Sequence, residues 1–168
     1  LHVAQAEFVC YSALRWSQFN ESGARLGILC ADGTGAGKGR LISACIVNRV
    51  LSETNTTPPR RHLWISVNPT LLSDARRDWA AVRGKKLTGL ELLEVPKVDY
   101  TARIHPNKDG VLFVTYAFLR TRATSRSKAS NPLFTSRLEQ VVDWLTCGGS
   151  VGNDSFDGCL AYDECHLA

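Results

Sequence analysis

The chain has 168 residues, enough for one domain with a real core, and its apolar share of 44% is ordinary for a globular fold. A net charge of +4 and an isoelectric point near 8.8 suit a nucleic-acid partner, and suit a plain solvated surface equally well. No run of about 18 apolar residues occurs, which excludes a membrane-spanning helix, and the six cysteines form no CxxC pair, which argues against zinc.

In chain order, the apolar residues Val3, Ala6, Val9, Ala13, Trp16 and Phe19 recur near a helical period and predict a helix over 3–19. A polar turn with Ser22 and Gly23 follows. Leu26 to Ala31 is an apolar run that predicts a buried strand. Leu41 to Leu51 predicts a helix, and the Gly-rich stretch CADGTGAGKGR lies between the two. Ser52 to Arg61 is a loop with two prolines. His62 to Val67 is the next strand, stopped by Asn68-Pro69 because proline cannot donate to a ladder. A helix is expected over Leu71 to Val82, with Thr70 or Ser73 as its cap. Leu90 to Val95 predicts a third strand and Pro96 to Asp109 a loop. Val111 to Thr115 is a strand, and Thr121 to Pro132 a mobile surface loop that is either a solvated linker or a phosphate-backbone contact. Phe134 to Cys147 is an amphipathic helix with Leu138, Val141, Val142 and Leu145 on one side. Gly148 to Gly158 is a flexible turn, and Cys159 to Tyr162 is a strand running into Asp163-Glu164-Cys165-His166. Strands alternating with helices, with the strands apolar throughout, imply an α/β fold with a mostly parallel sheet and helices on both faces.

Two motifs carry chemistry. A strand, a Gly-rich turn with a lysine, and a helix build a phosphate cradle, because turn amides and a helix N-terminus face the phosphates while the lysine neutralises them. Asp32 stands where the first glycine of the general pattern falls. Thr34 and Ala36 alternate with Gly33, Gly35 and Gly37, and Lys38 is the phosphate lysine. Gly39 fills the slot that normally holds a Ser or Thr hydroxyl for Mg²⁺, and Arg40 adds charge beside it. The second motif is the strand ending in Asp163-Glu164. Either motif alone is compatible with an ordinary turn. Together they are the two-part signature of an NTPase, in which the Asp serves the metal and the Glu serves the attacking water.

The stretch LCADGTGAGKGR resembles motif I of superfamily-2 helicases and chromatin-remodelling ATPases, and Asp163-Glu164-Cys165-His166 resembles their motif II. The resemblance is closest to the strawberry notch family of helicase-like ATPases, whose phosphate loop similarly reads Gly-x-Gly-Lys-Gly-Arg. HLWISVNPTLLSDARRDW resembles the region of motif Ia, VLFVTYAFLR the next core strand, and LHVAQAEFVCYSAL the upstream helix with its glutamine.

The resemblance implies a RecA-like ATP-binding lobe over 1–168, with 1–25 as upstream helix and turn and 26–168 running from phosphate loop to DECH motif. By the same resemblance Lys38 holds the β- and γ-phosphates, wrapped by the backbone from Gly33 to Gly39. Asp163 holds Mg²⁺ through water, Glu164 polarises the hydrolytic water, and His166 couples the site to motion elsewhere. Gln5 reads the adenine, and Pro69 and Thr70 face a nucleic-acid strand. It further implies a nuclear protein, with the cytosol as the alternative, that meets nucleic acid or chromatin and transcription-associated proteins and has no membrane partner.

The chain lacks methionine and ends shortly after His166, so it is expected to be a piece of something longer. A second RecA-like lobe with its arginine finger would be missing, along with roughly 10³ to 10⁵ in rate. The piece alone is therefore expected to hydrolyse ATP poorly and to leave an unfilled slot and exposed edges in its sheet. Two other classes stay open: a non-catalytic nucleotide-binding or protein-interaction scaffold, and a small-molecule P-loop enzyme such as a kinase, against which the Asp-Glu pair and following His argue.

Overall fold

The computed structural model describes residues 1–33, 35–51, 60–85, 87–124, 132–147 and 156–167. Four short apolar runs become strands: β1 (Arg61–Ser66), β2 (Glu91–Glu94), β3 (Gly110–Thr115) and β4 (Leu160–Tyr162). They form one sheet in the order β2-β3-β1-β4. Every pair in it is parallel, which fits the near-continuous apolar character of β1 and β3. The register is even, with Arg61 opposite Gly110 through to Ser66 opposite Thr115, and Leu63 to Ile65 opposite Leu160 to Tyr162. The fold is α/β with a parallel sheet, as the alternation of elements predicts.

The chain divides into two compact units, Leu1–Pro58 with Asp74–Thr88, and Pro59–Ser73 with Gly89–Ala168. The second unit holds the sheet. One sheet face buries Leu63, Ile65, Leu112 and Val114 with Leu93, Ile104, Tyr116, Val141 and Trp144. The last two come from α5 (Arg137–Leu145), which follows the short helix α4 (Tyr116–Leu119). On the other face Trp64 and Phe113 stack at a tilt of 51° with ring centres 6.2 Å apart. β4 is tied on by the buried ring of His62, whose Nδ1 accepts the Cys159 N–H at 3.0 Å. As the last strand in the order, β4 has an outer edge paired with no strand among the described residues, and Tyr162 is 54% exposed.

The loop over 96–109 is irregular, as expected, yet it is anchored. Ile104 is buried within it, Gln140 of α5 donates to Asp99 O at 2.7 Å and Ala102 O at 2.8 Å, and Trp144 Nε1 donates to Lys108 O at 3.2 Å. Arg61 reaches the same place, pairing with Asp109 at 3.1 Å and lying 5.4 Å from the centre of the Trp144 ring.

The first unit holds α1 (Val3–Trp16), α2 (Lys38–Leu51) and most of α3 (Leu72–Arg83). Ser12 and Cys45 meet where α1 packs on α2, with their side chains 3.6 Å apart. Burial holds the Cys45 thiol above its ordinary pKa, against the opposing pull of the Ser12 hydroxyl. All six cysteines are free thiols.

Several expectations need correction. Leu26 to Ala31 forms no strand. Phe19 bridges Arg25 and Leu26 N–H reaches Gln18 O, after which the segment pairs with no strand among the described residues and Leu29 is 72% exposed. The first helix ends at Trp16, before Phe19, and α2 begins three residues before Leu41. Neither Thr70 nor Ser73 caps the helix after β1. Asn68 does, accepting the Thr70 N–H at 3.0 Å at the head of a 3-10 turn, Pro69–Leu71, that leads into α3. On α5 the buried face carries Gln140, Val141 and Trp144, while Leu138 is 52% exposed. Of the expected aliphatic stripe Val141 is buried and Leu145 packs against the core, while Gln140 and Trp144 fill the remaining inward positions. The expected loops at 52–59, 125–131 and 148–155 lie outside the described residues.

Candidate functional site: a glycine-rich loop and an acidic strand end

The loop belongs to the first unit. Gly35 and Gly37 take φ of +83° and +77°, the left-handed region that a side chain disfavours, and these turns lead the backbone into α2 at Lys38. Leu41 N–H bonds to Gly37 O at 3.1 Å as the helix begins. The Lys38 ammonium turns back over the loop and donates to Asp32 O at 3.3 Å and Gly33 O at 3.2 Å. A Cβ built on Gly33 or Gly35 would meet nothing within 4 Å, so the loop is open there. A lysine folded over an open, left-handed glycine turn at the head of a 14-residue helix fits the chemistry of a phosphate group. Thr34 lies outside the described residues.

Gln5 is buried against this loop. Its Nε2 donates to Ala36 O at 3.1 Å and Gly37 O at 3.4 Å, and its Oε1 accepts the His2 N–H at 3.2 Å in the capping box of α1. The resemblance assigns this amide to adenine, whereas here both of its ends are engaged by backbone. Gly39 and Arg40 occupy the first turn of α2. The side chain of Asp78 on α3, a residue the sequence reading passed over, lies against Gly39 and is 3.5 Å from Arg40 Nε.

The acidic strand end belongs to the second unit. The ladder between β1 and β4 carries on to Asp163, whose N–H bonds Ile65 O at 2.8 Å. The carboxylate accepts from the buried Ser66 hydroxyl at 3.1 Å, and the Asp163 carbonyl accepts from Tyr116 Oη at 3.0 Å. Ser66 and Tyr116 thus fix Asp163, and the only signal for Ser66 was a polar residue ending an apolar strand. Glu164 follows with φ of +52°, uncommon for a side-chain-bearing residue, and its carboxylate lies 3.5 Å from His166 Nδ1. The Tyr116 phenol is held above its ordinary pKa, first by burial and then by the negative charges of Cys165, Asp163, Tyr162 and Glu164. The carboxylates of Asp163 and Glu164 stand side by side here, which suits a cation. Pro69 and Thr70 are exposed after β1. Among the described residues no three metal-ligating side chains gather.

A parallel α/β sheet with a glycine-and-lysine loop opening a helix and an Asp-Glu pair closing a strand defines the P-loop NTPase class. The chain belongs to the family described as P-loop containing NTP hydrolase pore-1, whose model matches residues 1–168. Along its whole length it is similar to strawberry notch proteins. It is 34% identical over 169 residues to protein strawberry notch homolog 1 of Rattus norvegicus, covering 100% of this chain and 12% of that protein. It is 37% identical over 171 residues to protein FORGETTER 1 of Arabidopsis thaliana, covering 100% and 11%. To protein strawberry notch of Drosophila melanogaster it is 30% identical over 169 residues, covering 100% and 9%. The chain therefore spans about a tenth of the length of the curated relatives it matches. No solved structure matches it.

Proposed function

We propose that this chain is the ATP-binding, ATP-hydrolysing lobe of a helicase-like protein of the strawberry notch type. The observation that carries the reading is Lys38, folded over Asp32 and Gly33 by its own ammonium at the head of α2. In the ATP complex the ammonium exchanges those two carbonyls for β- and γ-phosphate oxygens, and the turn amides from Gly33 to Gly39 share the charge. Asp163, pre-set by Ser66, serves Mg²⁺, and Glu164 orients the attacking water. Mg²⁺ supplies positive charge against the triphosphate. His166, paired with Glu164, is the route by which the site senses its surroundings.

In the whole protein, ATP turnover drives movement on, or remodelling of, nucleic acid or chromatin, in a nuclear setting with transcription-associated partners and with a second lobe completing the site. Gly39 in the hydroxyl slot favours the second reading, a lobe that binds nucleotide or a partner protein without turnover. Titration of labelled ATP onto the whole protein separates them. The proposal expects saturable binding that Lys38→Ala abolishes, and nucleic-acid-stimulated turnover that Glu164→Gln abolishes. Binding without turnover leaves the scaffold reading, and no binding removes both the ATPase and the nucleotide-binding readings.

A further inference from the structure

The space beside Gly39, where a loop hydroxyl would stand, is occupied. A Cβ built on Gly39 would overlap Asp78 Oδ2, and it would sit 3.3 Å from Asp78 Cγ and 3.6 Å from Asp78 Cβ. The space where a Ser or Thr side chain would begin is thus already filled by a carboxylate oxygen. The two oxygens of that carboxylate differ in what lies beside them: Oδ1 is 3.5 Å from Arg40 Nε and 3.6 Å from Arg77 Nε, whereas Oδ2 is on the side of Gly39. Arg77 is itself braced by Asp74 at 2.8 Å, and the Asp78 side chain keeps only 14% of its exposure. The carboxylate is therefore held from one side with its other oxygen turned to the head of the phosphate-loop helix.

We propose that Asp78 is the protein's replacement for the loop hydroxyl, and that Oδ2 is a ligand for the Mg²⁺ that accompanies the nucleotide. This rests on the nucleotide-binding reading above. Chemistry favours the exchange: Mg²⁺ is a hard cation that takes a carboxylate oxygen at least as readily as a hydroxyl, and a site built from one or two carboxylates plus phosphates is its usual setting. Gly39 and Asp78 then form one device, in which the glycine gives the carboxylate room and the two arginines aim it. A serine at position 39 would have to displace the Asp78 carboxylate, so the hydroxyl and the carboxylate compete for the same space.

The test measures labelled-ATP affinity of the whole protein in EDTA and in Mg²⁺, with no turnover required. The wild type is expected to bind more tightly in Mg²⁺. Asp78→Asn is expected to bind metal-free ATP no more weakly than wild type, yet to lose about 10- to 100-fold of the Mg²⁺ gain, the scale on which metal sites respond to losing a supporting group. The double variant Gly39→Ser with Asp78→Ala refills the space with a hydroxyl and is expected to regain the Mg²⁺ response. An undiminished Mg²⁺ response in Asp78→Asn overturns the proposal. So does a double variant that binds metal-free ATP and still ignores Mg²⁺, since the carboxylate would then be structural. A wild type that binds no nucleotide under either condition overturns the nucleotide reading and this inference together. Binding that needs Lys38 but never responds to Mg²⁺ overturns this inference alone.

Discussion

Gln5 Nε2 is hydrogen-bonded to the carbonyls of Ala36 and Gly37, at 3.1 and 3.4 Å, and so a residue in the first turn of α1 sets the conformation of the loop that opens α2. Each such bond contributes about 0.5–1.5 kcal/mol net, and the amide is buried. Replacing Gln5 with Ala is expected to loosen the loop and to weaken ATP binding by roughly tenfold, the equivalent of about 1.4 kcal/mol. Comparing ATP with GTP in the same titration separates this role from adenine reading. A positioning role weakens both nucleotides equally, and an adenine contact weakens ATP alone.

Gly37 and Gly35 share a left-handed backbone but not their surroundings. A Cβ on Gly37 would lie 2.6 Å from Gln5 Nε2, whereas one on Gly35 would meet nothing within 4 Å. Gly35→Ala therefore carries only the backbone cost of about 1–2 kcal/mol. Gly37→Ala carries the same cost and also displaces Gln5, so it should unfold the first unit at lower urea and bind ATP more weakly than Gly35→Ala. Adding Gln5→Ala should recover part of the Gly37→Ala loss. Equal effects of the two glycine substitutions would show that the Gln5 contact is unimportant.

The same contrast shows what the sequence discloses. β1 and β3 are legible because both of their faces are buried, so apolar residues run without a break, and the Gly-Lys loop is legible because chemistry and backbone demand adjacent residues. Leu26 to Ala31 has an equally apolar run and no partner strand among the described residues, because a run of side chains specifies burial without specifying who supplies the hydrogen bonds. Asp78 could not be read at all. Its meaning depends on α3 lying across the head of α2, and a pair such as Asp78 and Gly39 has no signature in spacing. On α5 the aliphatic stripe is only partly right: Val141 is buried and Leu145 packs against the core, but Leu138 is exposed and Gln140 and Trp144 hold the other buried positions.

Gln140 is fully buried and donates to Asp99 O and Ala102 O, which closes the loop over the sheet's core cluster. Gln140→Ala removes two bonds and leaves carbonyls without donors, at a cost of roughly 2–4 kcal/mol. Urea unfolding followed by tryptophan fluorescence should report it, because Trp144 donates to the same loop at Lys108. Gln140→Glu keeps the shape but loses the amide donors and should recover little of the stability. Full recovery by Glu would mean that packing, not hydrogen bonding, holds the loop.

Tyr116 links stability to alkaline pH. Burial first, and then the charges of Cys165, Asp163, Tyr162 and Glu164, hold its phenol above the ordinary value of 10.0 in the folded state. The folded chain therefore keeps this proton when the unfolded chain has begun to lose it. The stabilising contribution is complete below the unfolded pKa and is lost as pH rises through the folded one. Tyr116→Phe cannot titrate and also gives up the bond to the Asp163 carbonyl, at about 1 kcal/mol. Wild type should then exceed Tyr116→Phe in unfolding free energy near pH 8, and the gap should narrow as the pH rises above the ordinary phenol value of 10.0. Urea titrations at successive pH values follow that gap. A gap that stays constant across the range would mean the phenol feels neither the burial nor the acidic groups of the strand end.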